Sequence, residues 1–297
     1  MSAIDRLVLG TVALGLPYGV ALQGDSRQLA DQNEVGALIE QAVAAGITNF
    51  DTAPSYGLAE ERLGRFLPAD HGSVWTKLSN LPVDGGLAQA AERSLVQSLS
   101  RLNRDRIDCL QWHNWQATLA ESTAFRSLWS ELRADPRIAS LGASTYGVDD
   151  ALAAVRSGLF EQVQIEWNLL NQGVLDAVAE EAANLAVTLA LRSVFLQGVL
   201  TEKGGFLPSA LAGLAAPRAR AAALAARFGL TLNALALRAA LDHPARPRVL
   251  IGPDRPQQLA EILTHTALSP IPADVLAELR QLDLAENPLT DPRTWRF

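Results

Sequence analysis

Short runs of apolar residues recur along the whole chain, and between them the apolar residues fall at three- and four-residue intervals. The runs occupy residues 7–9, 48–50, 74–76, 107–111, 139–141, 162–165, 188–191 and 248–251. Runs of this length between helical patterns are expected of buried strands. The intervening segments carry helical spacing, as in Val35, Leu38, Ile39, Ala42 and Val43, or Leu95, Leu99 and Leu102. Strands that alternate with helices pair in parallel, because a parallel neighbour is reached only through a long crossover. Eight such units allow the sheet to close, which predicts a (β/α)8 barrel rather than an open doubly wound sheet. No Gly/Ser-rich or charged linker divides the 297 residues, so one domain over 1–297 is expected.

Three intervals exceed what a plain strand-to-helix loop needs: 10–30, 113–119 and 192–214. They follow strands one, four and seven, so all three belong on the C-terminal rim, where barrel active sites are built. Residues 285–297, with Pro288, Pro292, Trp295 and Phe297, read as a non-helical arm. Loops and arm serve either as pocket walls or as plain packing.

Composition narrows the partners. Hydrophobic residues are 48% and charged residues 19%, a globular balance. A net charge of −7 with no basic stripe makes nucleic acid a poor partner. The first residues lack the basic segment and long apolar run of a signal peptide, and no apolar stretch of about 20 residues occurs, so a cytoplasmic protein with no membrane partner is expected. Cys109 is the sole cysteine and lies within an apolar run, which excludes an intrachain disulfide or a thiolate metal site. The histidines, His71, His113, His243 and His265, form no i,i+4 ligand pair, so no metal is expected.

The candidate chemistry sits at or just beyond the ends of three strands: Asp51, Tyr56, Lys77 and His113. Tyrosine has a reference pKa of about 10 and needs a neighbouring cation to release its proton near neutrality; a lysine held by an aspartate supplies one. A histidine at the same rim can orient a carbonyl oxygen. Taken singly, Asp51 reads as a cap, Lys77 as a solvated cation, Tyr56 as a packing residue and His113 as a satisfied imidazole. Their order and spacing favour a set. The stretch Asn49-Phe50-Asp51-Thr52-Ala53-Pro54-Ser55-Tyr56-Gly57, followed by Glu60 and Leu63-Gly64, resembles the signature of the aldo-keto reductase family, with Ala59 where serine is frequent. The opening Leu14-Gly15-Leu16-Pro17-Tyr18-Gly19 is similar to that of the smaller bacterial members.

The resemblance implies a nicotinamide nucleotide across the rim and a small carbonyl or sugar substrate. No Gly-x-Gly-x-x-Gly follows a strand, so a Rossmann domain is not expected. By the resemblance, Ser144 and Gln164 hold the nicotinamide carboxamide, while Ser193, Gln197 and Gly198 lie along the pyrophosphate. Thr145 stands where many members have asparagine. Arg192 replaces a tyrosine that stacks on the ring, and either stacks in its place or makes a rim ion pair. In the turn after strand eight, which begins at Gly252, Arg255 and Gln258 match the holders of a 2′-phosphate, and Glu261 matches a residue near adenine. Asp254 reads as the helix N-cap, with Pro256 in the first turn, and its charge opposes a phosphate. NADP is the expected cofactor, with NAD open. Tyr18, Trp115 and Trp295 are candidates for a substrate pocket. The implied reaction is reduction of an aldehyde or ketone; the alternatives are oxidation of a sugar and a cofactor-binding regulatory subunit of low turnover.

Overall fold

In a computed structural model of the chain, which describes residues 2–20, 28–82, 86–285 and 287–295, eight strands form one closed barrel. They are β1 (Leu7–Gly10), β2 (Asn49–Asp51), β3 (Ser73–Leu78), β4 (Cys109–Trp112), β5 (Leu141–Ser144), β6 (Gln162–Glu166), β7 (Thr188–Arg192) and β8 (Arg248–Ile251). Each pairs in parallel with its sequence neighbour, and β8 closes on β1 through Leu7↔Val249, Val8↔Leu250 and Leu9↔Ile251. The helices are α1 (Val12–Gly15), α2 (Gln32–Ala44), α3 (Ala59–Phe66), α4 (Leu87–Leu102), α5 (Thr123–Ala134), α6 (Gly147–Arg156), α7 (Gly173–Asn184), α8 (Ala215–Arg227), α9 (Leu232–Asp242), α10 (Pro256–Thr266) and α11 (Ala273–Leu279). The chain is thus a (β/α)8 barrel, as its apolar pattern predicts. Residues 21–27 of the first long interval, and Phe297 of the C-terminal arm, lie outside the described residues.

Two strands depart from expectation. The fifth was expected over 139–141 but runs from Leu141 to Ser144, and the fourth begins at Cys109, with Ile107 in an isolated bridge to Ile138. Gly142, Ala143 and Ser144 carry little apolar signal, yet β4 and β6 on either side complete their ladders. A Cβ on Gly142 would stand 3.0 Å from both the Gln111 side chain and the Gln162 carbonyl oxygen, so the residue is small because neighbours approach closely.

The main core lies between the strands and the helical layer. A separate small cluster, Val8, Trp75, Cys109 and Ala190, belongs to inward-facing positions, since Trp75 and Cys109 precede Lys77 and Gln111 by two residues on the same face. Among the described residues no single helix is long and apolar enough to cross a membrane, although α8 with its preceding turn and the buried α9 pass that test together as a bent pair.

The loop that carries Tyr56 is seated on α1 at two glycines. The Leu58 amide donates to the Gly15 carbonyl at 3.1 Å, and a Cβ on Gly15 would fall 1.8 Å from the Tyr56 carbonyl oxygen. Gly57 has φ +58, and its own Cβ would meet the Gly15 carbonyl oxygen at 2.4 Å. Gly15→Ala is expected to lower stability by about 1 to 3 kcal/mol through overpacking and to lower the melting temperature accordingly. Gly205→Ala, where a Cβ meets nothing within 4 Å, serves as the neutral comparison in the same thermal unfolding assay.

Candidate active site

Asp51 ends β2, Lys77 lies near the end of β3, and the two meet inside the barrel. Lys77 Nζ is 2.7 Å from both Asp51 carboxylate oxygens and also donates to the Thr52 carbonyl at 2.9 Å. Asp51 Oδ1 further accepts the side-chain amides of Gln111 at 3.2 Å and Gln164 at 2.9 Å. Strands β3, β4 and β6 therefore converge on one carboxylate. A buried ion pair needs this completion, because unmet lone pairs in a low-dielectric interior are costly.

Tyr56 lies in the turn after β2, with Lys77 Nζ 5.1 Å from its ring centroid. His113 follows β4 and meets Tyr56 edge to face, with centroids 6.0 Å apart at 84°. Its Nδ1 is 2.8 Å from Ser79 Oγ. Burial, then the Asp51 carboxylate and Tyr146, push the Tyr56 phenol well above its ordinary pKa, against a smaller opposing influence of Arg192. The expectation of a lowered phenol pKa is not met: although the Lys77 ammonium lies over the ring face, burial and the Asp51 carboxylate decide the direction. Burial, followed by Lys77 and Arg192, pushes the His113 pKa down to about 3, so the imidazole is neutral.

Asp51, Tyr56 and His113 open into a cavity of about 600 Å³ on the C-terminal rim. Of the other residues singled out from the sequence, Tyr18, Ser144, Gln164, Arg192, Ser193, Gln197, Gly198, Gly252, Gln258 and Glu261 line it. Lys77 lies beneath its floor, fully buried. Three candidates are elsewhere. Trp115 donates its backbone amide to the Ser144 carbonyl, which turns its side chain into the core against Phe160 at 5.3 Å. Trp295 packs on the core and donates its indole to the Leu289 carbonyl at 3.1 Å. Arg255 is outside the lining, its side chain 64% exposed.

The turn after β8 also differs locally from expectation. Arg255, not Asp254, is the N-cap of α10, and Pro256 is its first helical residue. Gln258 reaches back instead and accepts the Asp254 amide, one residue before the cap, at 3.0 Å. Asp254 lines the cavity together with Glu261, whose carboxylate accepts the Asn233 amide at 2.7 Å.

Arg192 makes the rim ion pair, at 3.1 Å from Glu166, and also donates to the Thr145 carbonyl at 2.7 Å. Its guanidinium carbon is 3.8 Å from the Tyr146 ring centroid, and Arg293 stacks on the same ring at 3.4 Å. Gln111, Tyr146, Glu166 and Arg293 are parts of the site that sequence reading passes over. Alternation could have found two of them, since Gln111 lies two residues before His113 and Glu166 two after Gln164. Tyr146 and Arg293 have no local signal, because tertiary structure alone brings the C-terminal arm to the β5 rim.

A closed parallel barrel whose polar residues converge at the C-terminal strand ends has the architecture of a barrel enzyme. The chain belongs to the aldo/keto reductase family, whose sequence pattern matches residues 6–284, and it is therefore an oxidoreductase. It is 29% identical to D-threo-aldose 1-dehydrogenase from a Pseudomonas species, over 94% of this chain and 97% of that one. Against the aldo-keto reductase YhdN of Bacillus subtilis (strain 168) it is 27% identical, over 97% and 92%. The solved structure of a Bacillus halodurans aldo-keto reductase in its holo form matches with a TM-score of 0.75, covering 94% of this chain and 92% of that one at 18% identity, a likeness of fold.

Lys77→Met leaves the Asp51 carboxylate buried with only two amide donors and is expected to destabilise the protein by about 3 to 5 kcal/mol. Adding Asp51→Leu should recover part of that loss in chemical denaturation. His113, with its folded pKa depressed below the free value, is neutral in the folded chain while the unfolded chain takes up a proton. Its contribution to stability is therefore lost as pH falls from about 6.5 toward 3. Histidine NMR should show no His113 titration between about pH 5 and about pH 8; a midpoint near the free value would refute the assignment.

Proposed function

We propose that the cavity binds a nicotinamide nucleotide along the C-terminal rim and that the protein reduces a small aldehyde or ketone to an alcohol, with Tyr56 as the proton donor. The observation that carries this reading is geometric: Tyr56 and His113 meet edge to face and line one cavity above the buried Asp51–Lys77 pair. A nicotinamide held there would supply the hydride for the carbonyl carbon. Tyr56 keeps its proton at neutral pH, and the alkoxide that develops on the substrate is basic enough to remove it. The tyrosinate left behind lies beside the Lys77 ammonium, which keeps that charge tolerable in a buried site. His113 donates to the same oxygen, and fixed donors of this kind contribute on the order of 2 to 4 kcal/mol each.

The lining suits a nucleotide. Arg192 lines the cavity at the nicotinamide end, its guanidinium held by Glu166 and the Thr145 carbonyl. Ser193, Gln197 and Gly198 have φ of 64, 52 and 99, a backbone course that can follow a pyrophosphate closely. Ser144 and Gln164 supply a hydroxyl and an amide beside Tyr56 for the carboxamide, although Gln164 also ties Asp51. At the β8–α10 turn the acidic side chains that line the cavity are Asp254 and Glu261, whereas Arg255 faces solvent. Like charges disfavour a 2′-phosphate there, so NADH binds at least as well as NADPH.

One second reading has specific support. The 29% identity to D-threo-aldose 1-dehydrogenase favours oxidation of an aldose at its anomeric hydroxyl, the reverse use of the same donors. Rates with aldoses plus NAD or NADP, set beside rates with small aldehydes plus NADH or NADPH, separate the two directions. A regulatory subunit that binds cofactor without turnover would show affinity and no rate in either.

Tyr56→Phe is expected to lower kcat by at least about a hundredfold, within the usual range of general-acid contributions, with nucleotide affinity by fluorescence titration little changed. Parent-level turnover in this variant would remove Tyr56 from the mechanism. In the same titration Asp254→Ser should shift the NADPH/NADH affinity ratio toward NADPH by roughly tenfold, about 1.4 kcal/mol. Arg255→Ala should leave the ratio where it was, and parent protein binding NADPH more than about tenfold tighter than NADH would overturn the reading of this turn.

A further inference from the structure

His113 is neutral and asymmetric. Nδ1 touches Ser79 Oγ at 2.8 Å, whereas no hydrogen-bond partner of Nε2 is found among the described residues, and the residue lines the cavity. A neutral imidazole carries one proton, and only the form with hydrogen on Nε2 can donate to a substrate oxygen. The form with hydrogen on Nδ1 would present a lone pair to that oxygen and repel it. Whichever group occupies the far side of the ring therefore decides what His113 can do.

That group is fixed by the barrel itself. The β3–β4 register ends at Leu78↔Trp112, and the next ladder bond runs from the His113 amide to the Leu78 carbonyl at 3.0 Å. Ser79 and His113 are thus the next facing pair, on the inward side already used by Lys77 and Gln111. Both chains turn away immediately afterwards, through Asn80 at φ 54 and Asn114 at φ 57. A second hydroxyl, Ser55 Oγ, stands 3.5 Å from Ser79 Oγ, in the residue before Tyr56. With Ser55 donating to the Ser79 oxygen, the Ser79 proton is left for Nδ1.

We propose that Ser79, backed by Ser55, is a positioning residue that holds His113 with its proton on Nε2 and its ring facing the cavity. Ser79 touches no reacting atom; it acts through His113, and the hydroxyl relay joins the loop of Tyr56 to the ring that works beside it. The catalytic consequence rests on the function proposed above, whereas the tautomer does not, so the two can fail separately.

The test uses the full chain labelled with nitrogen-15 in histidine and long-range proton–nitrogen correlation spectra, with His113 identified by its loss in His113→Gln. The expected spectrum shows a pyrrole-type Nε2 and a pyridine-type Nδ1 at neutral pH. Ser79→Ala should give mixed tautomers with a melting temperature and nucleotide affinity close to the parent, and a kcat lower by roughly tenfold. Ser79→Thr, which keeps the hydroxyl, should restore the single Nε2–H form and most of the rate. A parent spectrum with the proton on Nδ1, or a Ser79→Ala spectrum identical to the parent, overturns the proposal. A shifted tautomer without any loss of rate, in a protein whose Tyr56→Phe variant is inactive, would remove His113 tautomerism from catalysis and overturn the positioning role.

Discussion

A lysine with no solvent exposure is held inside the barrel by one carboxylate, and the rest of the site is arranged around that pair. Asp51 receives Lys77 from the adjacent strand β3, Gln111 from β4 and Gln164 from β6, on the far side of the ring. The contact therefore spans the barrel and ties its strand ends at one height. An ion pair taken out of water is stable only if nearly every lone pair and proton finds a partner. That demand explains the polar layer of Lys77, Gln111 and Gln164 above the small apolar cluster of Val8, Trp75, Cys109 and Ala190. It also sets the floor against which Tyr56 and His113 are placed.

Burial works on those two groups in opposite chemical senses and with one result. It raises the phenol and lowers the imidazole, so both are neutral, and both can carry a proton toward the cavity without net charge in the ground state. The neighbouring Lys77 charge faces the Asp51 carboxylate and the Tyr56 ring.

Around this floor the walls come from distant parts of the chain. The Tyr56 loop is seated on α1 by Gly15 and Gly57, where backbone meets backbone and no side chain fits. Opposite, Tyr146 is flanked by Arg192 from β7 and Arg293 from the C-terminal arm, with Glu166 and Asp291 as carboxylate partners. Guanidinium groups stacked on one ring while paired to acids make a stiff rim, because each planar group has few orientations that satisfy both contacts.

The barrel was legible in the sequence because parallel strands are buried on both faces and so stand out as apolar runs between helical patterns. The grouping of Asp51, Tyr56, Lys77 and His113 was legible because these residues are ordered along the chain by the strands that carry them. Sequence could not place β5, whose Gly142-Ala143-Ser144 is small for reasons of close packing that only neighbouring strands impose. Nor could it orient side chains in loops: Trp115 turns into the core, Trp295 onto the arm and Arg255 into solvent. Residue type and periodicity determine which groups reach the strand ends. Which way a rim residue points, what shares its hydrogen bonds, and therefore the proton state of Tyr56 and His113, depend on desolvation and contacts between segments far apart in the chain, which tertiary packing alone decides.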